Sequence, residues 1–125
     1  MKIYLAAPYD RRWQMLGIAS TLERAGHEVT SRWIAGGRGG DPPIVTAVED
    51  LIDLTRAQCL VSFTGDAPRD IAGPACTGRH VELGVALATG KRLCLVGPRE
   101  NNFHHLQSLE VYDSVPDLVA GLSGK

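Results

Sequence analysis

Strand-like apolar runs alternating with amphipathic helical stretches predict one α/β domain spanning residues 1–125, with a mainly parallel sheet and helices on both faces. Three observations carry this. Short apolar runs recur at Lys2–Ala6, Cys59–Thr64 and Arg92–Val96. Between them lie stretches with apolar residues three and four apart. Each strand-like run is followed by Gly, Pro or polar residues, the composition of a loop leading into a helix.

The elements follow in order. Lys2–Ala6 is a short buried strand stopped before Pro8. Residues 11–25 form a helix with a stripe of Met15, Leu16, Ala19 and Leu22, capped by Gly26. His27–Trp33 reads as a strand, with Val29 and Ser31 on one face and Glu28, Thr30 and Arg32 on the other. Gly36-Gly37-Arg38-Gly39-Gly40 predicts a mobile loop. Asp41-Pro42 starts the next helix, with Asp as N-cap and Pro in the first turn; Ile44, Val48, Leu51, Ile52 and Thr55 mark one of its faces. Cys59–Thr64 is a strand, and a long Gly- and Pro-containing loop runs from Gly65 to about Gly78. The helix from about Arg79 to Thr89 turns Val81, Gly84, Val85 and Ala88 inward and ends at Gly90. Arg92–Val96 is a strand stopped by Gly97-Pro98. Val111-Tyr112 is a last short strand and Val115–Leu122 a last helix.

Composition narrows the function. Apolar residues make up 44% of the 125, enough for one core, and 13 basic against 14 acidic residues leave a net charge of −1. That balance does not suit a nucleic-acid coat or a basic membrane binder. No apolar run approaches the ~20 residues of a membrane-spanning helix, and the N-terminus reads as a strand rather than a signal peptide. Three widely spaced cysteines, Cys59, Cys76 and Cys94, argue against a disulfide framework and for a reducing cytoplasm. The four histidines lack metal-ligand spacing, and no Walker or Gly-x-Gly-x-x-Gly motif is present, so no metal or cofactor is expected.

In sheets of this kind ligands bind beyond the carboxyl ends of the strands. The most informative segment there is Thr77-Gly78-Arg79-His80-Val81-Glu82-Leu83-Gly84, a turn feeding a helix whose start carries a carboxylate. Helix-start N–H groups and the dipole would keep Glu82 ionised. The same Glu also reads as a surface acid paired with Arg79. Glu49, Asp50 and Asp53 read equally as a solvated acidic face, and Tyr4 as a core residue with its hydroxyl satisfied at the strand end. Arg11, Arg12, Thr77 and Arg79 are candidate phosphate contacts. Trp33 or Tyr9 could stack on a base.

Lys2-Ile3-Tyr4-Leu5-Ala6-Ala7-Pro8, Gly26-His27-Glu28-Val29 with Trp33, Asp50 in Glu49-Asp50-Leu51-Ile52-Asp53-Leu54, and Gly78-Arg79-His80-Val81-Glu82-Leu83-Gly84-Val85-Ala86-Leu87-Ala88 resemble, in order, the nucleoside 2-deoxyribosyltransferases and the related nucleotide N-glycoside hydrolases. The strand Lys91–Val96 with Gly97 completes a resemblance that spans nearly the whole chain. It implies a flavodoxin-like (Rossmann-like) three-layer sandwich with a mainly parallel five-stranded sheet. It also implies cleavage of the N-glycosidic bond of a nucleoside or its 5′-monophosphate, by hydrolysis or base exchange. Glu82 matches the family nucleophile, Asp50 the active-site aspartate and Tyr4 the tyrosine that orients the nucleophile. Such chemistry passes through an oxocarbenium-like state that a carboxylate at C1′ stabilises and traps, while a second group assists the departing base.

The sequence departs from the family at two places. Cys76 stands six residues before Glu82, where transferases carry Asp for the 5′-hydroxyl and phosphate-using hydrolases carry Ser. The preceding loop is longer and adds Asp66 and Asp70. Loss of the carboxylate favours a 5′-monophosphate, held by Thr77, the Gly78 turn, Arg79 and Arg11 or Arg12. Asp66 or Asp70 folding back would instead favour the free nucleoside. Relatives complete the site with a neighbour's loop, which predicts a homo-oligomer with Asn101–His105, including Asn102 and His104, as the donated segment. Ala7, Trp33 and Gly78 complete the candidate substrate-binding set. The rival readings are a non-catalytic nucleotide-binding module and a lysine-decarboxylase-like phosphoribohydrolase; the latter lacks its Pro-Gly-Gly here.

Overall fold

The computed structural model describes residues 1–65 and 78–124. Five parallel strands, β1 (Lys2–Ala6), β2 (Glu28–Val29), β3 (Cys59–Phe63), β4 (Arg92–Val96) and β5 (Leu109–Tyr112), form one sheet in the order β2-β1-β3-β4-β5. Helices α1 (Arg12–Arg24), α2 (Pro43–Arg56), α3 (Gly78–Ala88) and α4 (Val115–Ser123) connect and cover the strands. The chain moves from β1 outward to β2, then crosses back to β3 on the other side of β1. Right-handed crossovers then place α1 and α2 on opposite faces, and α3 packs beside α2. This is the flavodoxin-like order, whose switch point lies between β1 and β3.

The core is the sheet itself. Ile3, Tyr4, Leu5 and Ala6 of β1 and every residue of β3 are buried. A strand with neighbours on both sides and helices on both faces has no solvent side, which is why these runs are continuously apolar. Ser62 is the polar exception in β3. Cys59 and Cys94 sit on neighbouring strands as buried thiols with sulfurs 3.9 Å apart. Gly97 holds φ +119°, and a Cβ there would lie 2.6 Å from Thr64 Oγ1, so only glycine lets β4 leave the sheet at that point. No described helix is long and apolar enough to cross a membrane.

The structure corrects several expectations. The predicted His27–Trp33 strand shrinks to Glu28–Val29, and Arg32–Ala35 forms a 3-10 turn. Thr30 and Ser31, expected on opposite faces, are both buried: Thr30 Oγ1 donates to the carbonyl of Asp53 (2.8 Å) and Ser31 Oγ accepts from Leu5 N–H (3.1 Å). Side-chain hydrogen bonds outcompete continued pairing at this sheet edge. In α1 the buried stripe is Met15, Ile18, Ala19 and Leu22, with Leu16 exposed. Pro42, not Asp41, is the N-cap of α2, without a side-chain cap. α3 buries Arg79, Leu83 and Ala86, whereas Val81 and Gly84 are exposed. Its apolar composition leaves little pattern from which to choose a face.

The largest difference is in α2. Ile44, Val45, Val48, Leu51 and Ile52 are 42–72% exposed, and only Asp53 and Leu54 of this helix are buried. The apolar stripe points away from the core. α2 is instead held by Asp53, whose carboxylate accepts from Arg32 N–H (3.0 Å) and Arg32 Nε (2.9 Å).

Candidate active site

A cleft of about 390 Å³ opens beyond the carboxyl end of β1, lined by Ala7, Pro8, Tyr9, Trp33, Arg38, Gly39, Thr46, Asp50, Gly78, Arg79 and Glu82. The parallel sheet aims strand ends at this edge, and α2 and α3 bring their side chains to it. The volume is in the usual range for a small-molecule site.

Glu82 lines the cleft and is bound by Tyr4 of the buried sheet. Tyr4 is fully buried in β1, and its hydroxyl donates to Glu82 Oε2 from α3. Burial, followed by the Glu82 charge, pushes the Tyr4 phenol far above its usual range, so it remains a donor. Burial also raises the Glu82 carboxyl, to about 7; the Tyr4 hydrogen bond and the Arg38 charge pull the other way. The expected helix-start stabilisation is absent, because α3 begins at Gly78 and Glu82 lies past its first turn. Desolvation decides its ionisation.

The three acids of α2 have different environments. Asp53 is buried against Arg32. Asp50 faces the cleft, its Oδ1 2.8 Å from Arg38 Nη1, while Glu49 Oε1 lies 3.5 Å from Arg38 Nη2. Burial raises the Asp50 carboxyl, and its hydrogen bond to Arg38 opposes the rise. The Gly36–Gly40 segment, expected to be a mobile loop unable to wall a pocket, is anchored through Arg38 to α2 and lines the cleft. Sequence reading missed Arg38; its only signal was a lone cation inside a run of glycines.

Trp33 is buried, with its indole Nε1 donating to Leu5 O at 2.8 Å. It contacts Tyr9 at 6.3 Å between ring centroids, and the two rings form an apolar wall of the cleft.

The other candidates divide. Ala7, Gly78 and Arg79 line the cleft, although Arg79 is buried with its Nη2 2.9 Å from Glu100 Oε1. Despite burial, hydrogen bonds from Arg79 and from Gly65 N–H hold Glu100 below the usual carboxylate range. Arg11 lies elsewhere: its Nη1 donates to the Thr64 and Gly65 carbonyls and its Nε to Gln14. Arg12 packs its guanidinium over the Tyr9 and Trp13 rings. Neither Arg11 nor Arg12 lines the cleft. Asn102 and His104 also lie outside it, in a 3-10 turn after β4. His104 is fully buried, its Nδ1 accepting from Glu100 N–H at 2.8 Å. Asp66, Asp70, Cys76 and Thr77 fall outside the described residues. Among the described residues no group of three or more His, Cys, Asp or Glu could hold a metal ion.

The fold is similar to that of a 2-deoxyribosyltransferase from the psychrotolerant bacterium Bacillus psychrosaccharolyticus, with a TM-score of 0.70 and 23% identity over 95% of this chain and 90% of that one. It is similar as well to the CMP N-glycosidase BcmB of Clostridium botulinum, with a TM-score of 0.68 and 18% identity over 100% of both chains. No protein-family model matches the sequence, and no curated protein matches it.

Proposed function

We propose that this protein is an enzyme that cleaves the N-glycosidic bond of a nucleoside or nucleoside 5′-monophosphate through a covalent glycosyl intermediate on Glu82. The observation that carries the reading is the hydrogen bond from the Tyr4 hydroxyl to Glu82, in a cleft that also presents Asp50 and an aromatic wall. The fold shared with a 2-deoxyribosyltransferase and a CMP N-glycosidase supports it.

Each residue has a role. Tyr4 holds one Glu82 oxygen, leaving the other to attack C1′ of the sugar. As the C1′–N bond breaks, its electron pair goes to the base, and the ionised Glu82 stabilises the oxocarbenium character and closes on C1′. Asp50, its carboxyl raised by burial, delivers a proton to the departing base. Water or a second base then displaces Glu82 from C1′. Trp33 and Tyr9 form the base-stacking wall, and the N–H groups at the start of α3 form the anion-accepting end.

A second copy of the chain completes the assembly in this reading. The aliphatic face of α2 carries no charged residue from Ile44 through Val48, Leu51, Ile52 and Thr55. Contiguous exposed aliphatics of this extent mark an interface. A two-fold pairing of an uncharged face brings no like charges together. It also supplies the apolar centre for the roughly 800 Å² per partner of a standard interface.

The deciding experiment incubates the protein with a panel of nucleosides and 5′-monophosphates, with and without a free acceptor base, separates the products by chromatography and determines the intact protein mass. Base release together with a sugar adduct lost in Glu82→Ala is the expected result. Ligand binding without base release after prolonged incubation would overturn the enzymatic reading in favour of a binding module.

A further inference from the structure

Arg38 brings a cation into the cleft with donors to spare. Its side chain is only 13% exposed, and it lines the cleft with Gly39, Tyr9, Trp33 and Asp50. Nη1 donates to Asp50 Oδ1 at 2.8 Å and Nη2 to Glu49 Oε1 at 3.5 Å. A guanidinium has five N–H donors and no acceptor, so the two carboxylates leave part of the fork unused. Its charge also reaches Glu82 and Tyr4. The same cation thus shares the cleft with the aromatic wall and lies within electrostatic reach of the nucleophile.

Resting on the glycosidic reading above, we propose that Arg38 is a specificity-determining residue that selects bases bearing a ring carbonyl. It donates a hydrogen bond to that oxygen as the base departs. When C1′–N breaks and C1′–O to Glu82 forms, the electron pair remains on the base nitrogen. In uracil- or hypoxanthine-type bases this charge is shared with the carbonyl oxygen. A fixed guanidinium opposite that oxygen gains strength as the charge develops, so the contact favours the transition state over the ground state. The base nitrogen then takes the Asp50 proton, and the Asp50 carboxylate formed is balanced by the same Arg38. An adenine-type base presents an amino group where uracil- and hypoxanthine-type bases present oxygen. Donor then faces donor, and the guanidinium loses its water without gaining a partner. A site built to hydrogen-bond one group discriminates strongly against an analogue that lacks it.

The test compares kcat/KM for matched nucleosides and monophosphates of hypoxanthine, uracil and adenine, in the natural protein and in Arg38→Lys and Arg38→Gln. The expected result is a preference of at least about tenfold for the oxo-bases. That preference should collapse in Arg38→Gln, with oxo-base turnover falling at least about tenfold further than adenine-type turnover. Arg38→Lys, which keeps the charge but not the planar fork, should fall between. A preference for adenine in the natural protein, or an equal loss for all bases in Arg38→Gln, would overturn the proposal; the latter pattern belongs to a residue that only positions Asp50. Absence of base release from every compound would instead remove the glycosidic reading beneath it.

Discussion

The Tyr4 hydroxyl donates to Glu82 Oε2 across 78 residues of sequence, joining a buried strand of the sheet to a helix of the covering layer. This contact ties the nucleophile candidate to a fully buried residue of β1, and it opposes the burial that protonates Glu82. One phenol therefore both orients Glu82 and lowers the carboxyl that burial raises.

Glu82→Gln should lower glycosidic turnover by a factor on the order of 10³ or more, because the amide cannot form the covalent intermediate. The far-ultraviolet circular dichroism should be unchanged. Near-normal turnover in a chromatographic assay would refute the nucleophile assignment.

Turnover should rise with pH through an acid limb near 7, the point to which burial lifts the Glu82 carboxyl. Tyr4→Phe removes a hydrogen bond that lowers this value, so the limb should move to higher pH. The rate above the limb should fall about 10- to 100-fold from lost alignment. A pH profile of kcat/KM checks both; an unmoved limb in Tyr4→Phe would separate Tyr4 from Glu82.

The same shift predicts a stability effect of opposite sense to the usual paired carboxylate. Glu82 is about 7 in the folded state against 4.5 unfolded, so between these values the folded state binds more protons. Stability from this group is present below pH 4.5 and is lost as pH rises to 7, by on the order of 3 kcal/mol. Glu82→Gln removes the titration, and urea denaturation at pH 8 should find the variant more stable than the natural protein.

Asp50 and Asp53, three residues apart on α2, should separate cleanly. Asp53→Ala strips the fully buried carboxylate that accepts from Arg32 and should destabilise the fold by about 2–3 kcal/mol. Asp50→Asn should change stability by less than about 1 kcal/mol yet slow turnover across the whole pH range. Urea melts and rate measurements on both variants decide this.

Sedimentation equilibrium should give at least twice the 13.4 kDa chain mass. Val48→Glu paired with Ile52→Glu places charge on the exposed face of α2 and should yield a monomer with unchanged secondary structure. A natural protein that is monomeric and fully active would exclude the second copy.

By itself the sequence determined the α/β order and the strand positions of β1 and β4, whereas Tyr4, Asp50 and Glu82 stand out in it only through the family resemblance. Strands buried on both faces are continuous apolar runs, and such runs are visible without coordinates. Tertiary structure alone decided which face of a helix is inside. α2 buries Asp53 because Arg32 and its backbone satisfy that carboxylate, and it exposes the aliphatic stripe that periodicity marks. Periodicity records that a face is apolar, not what covers it. Tertiary structure likewise decided the charge state of Glu82, where burial outweighs the Tyr4 hydrogen bond and the Arg38 charge, and brought Arg38 to Asp50. Both effects depend on distances between segments far apart in the chain, and no local pattern encodes them.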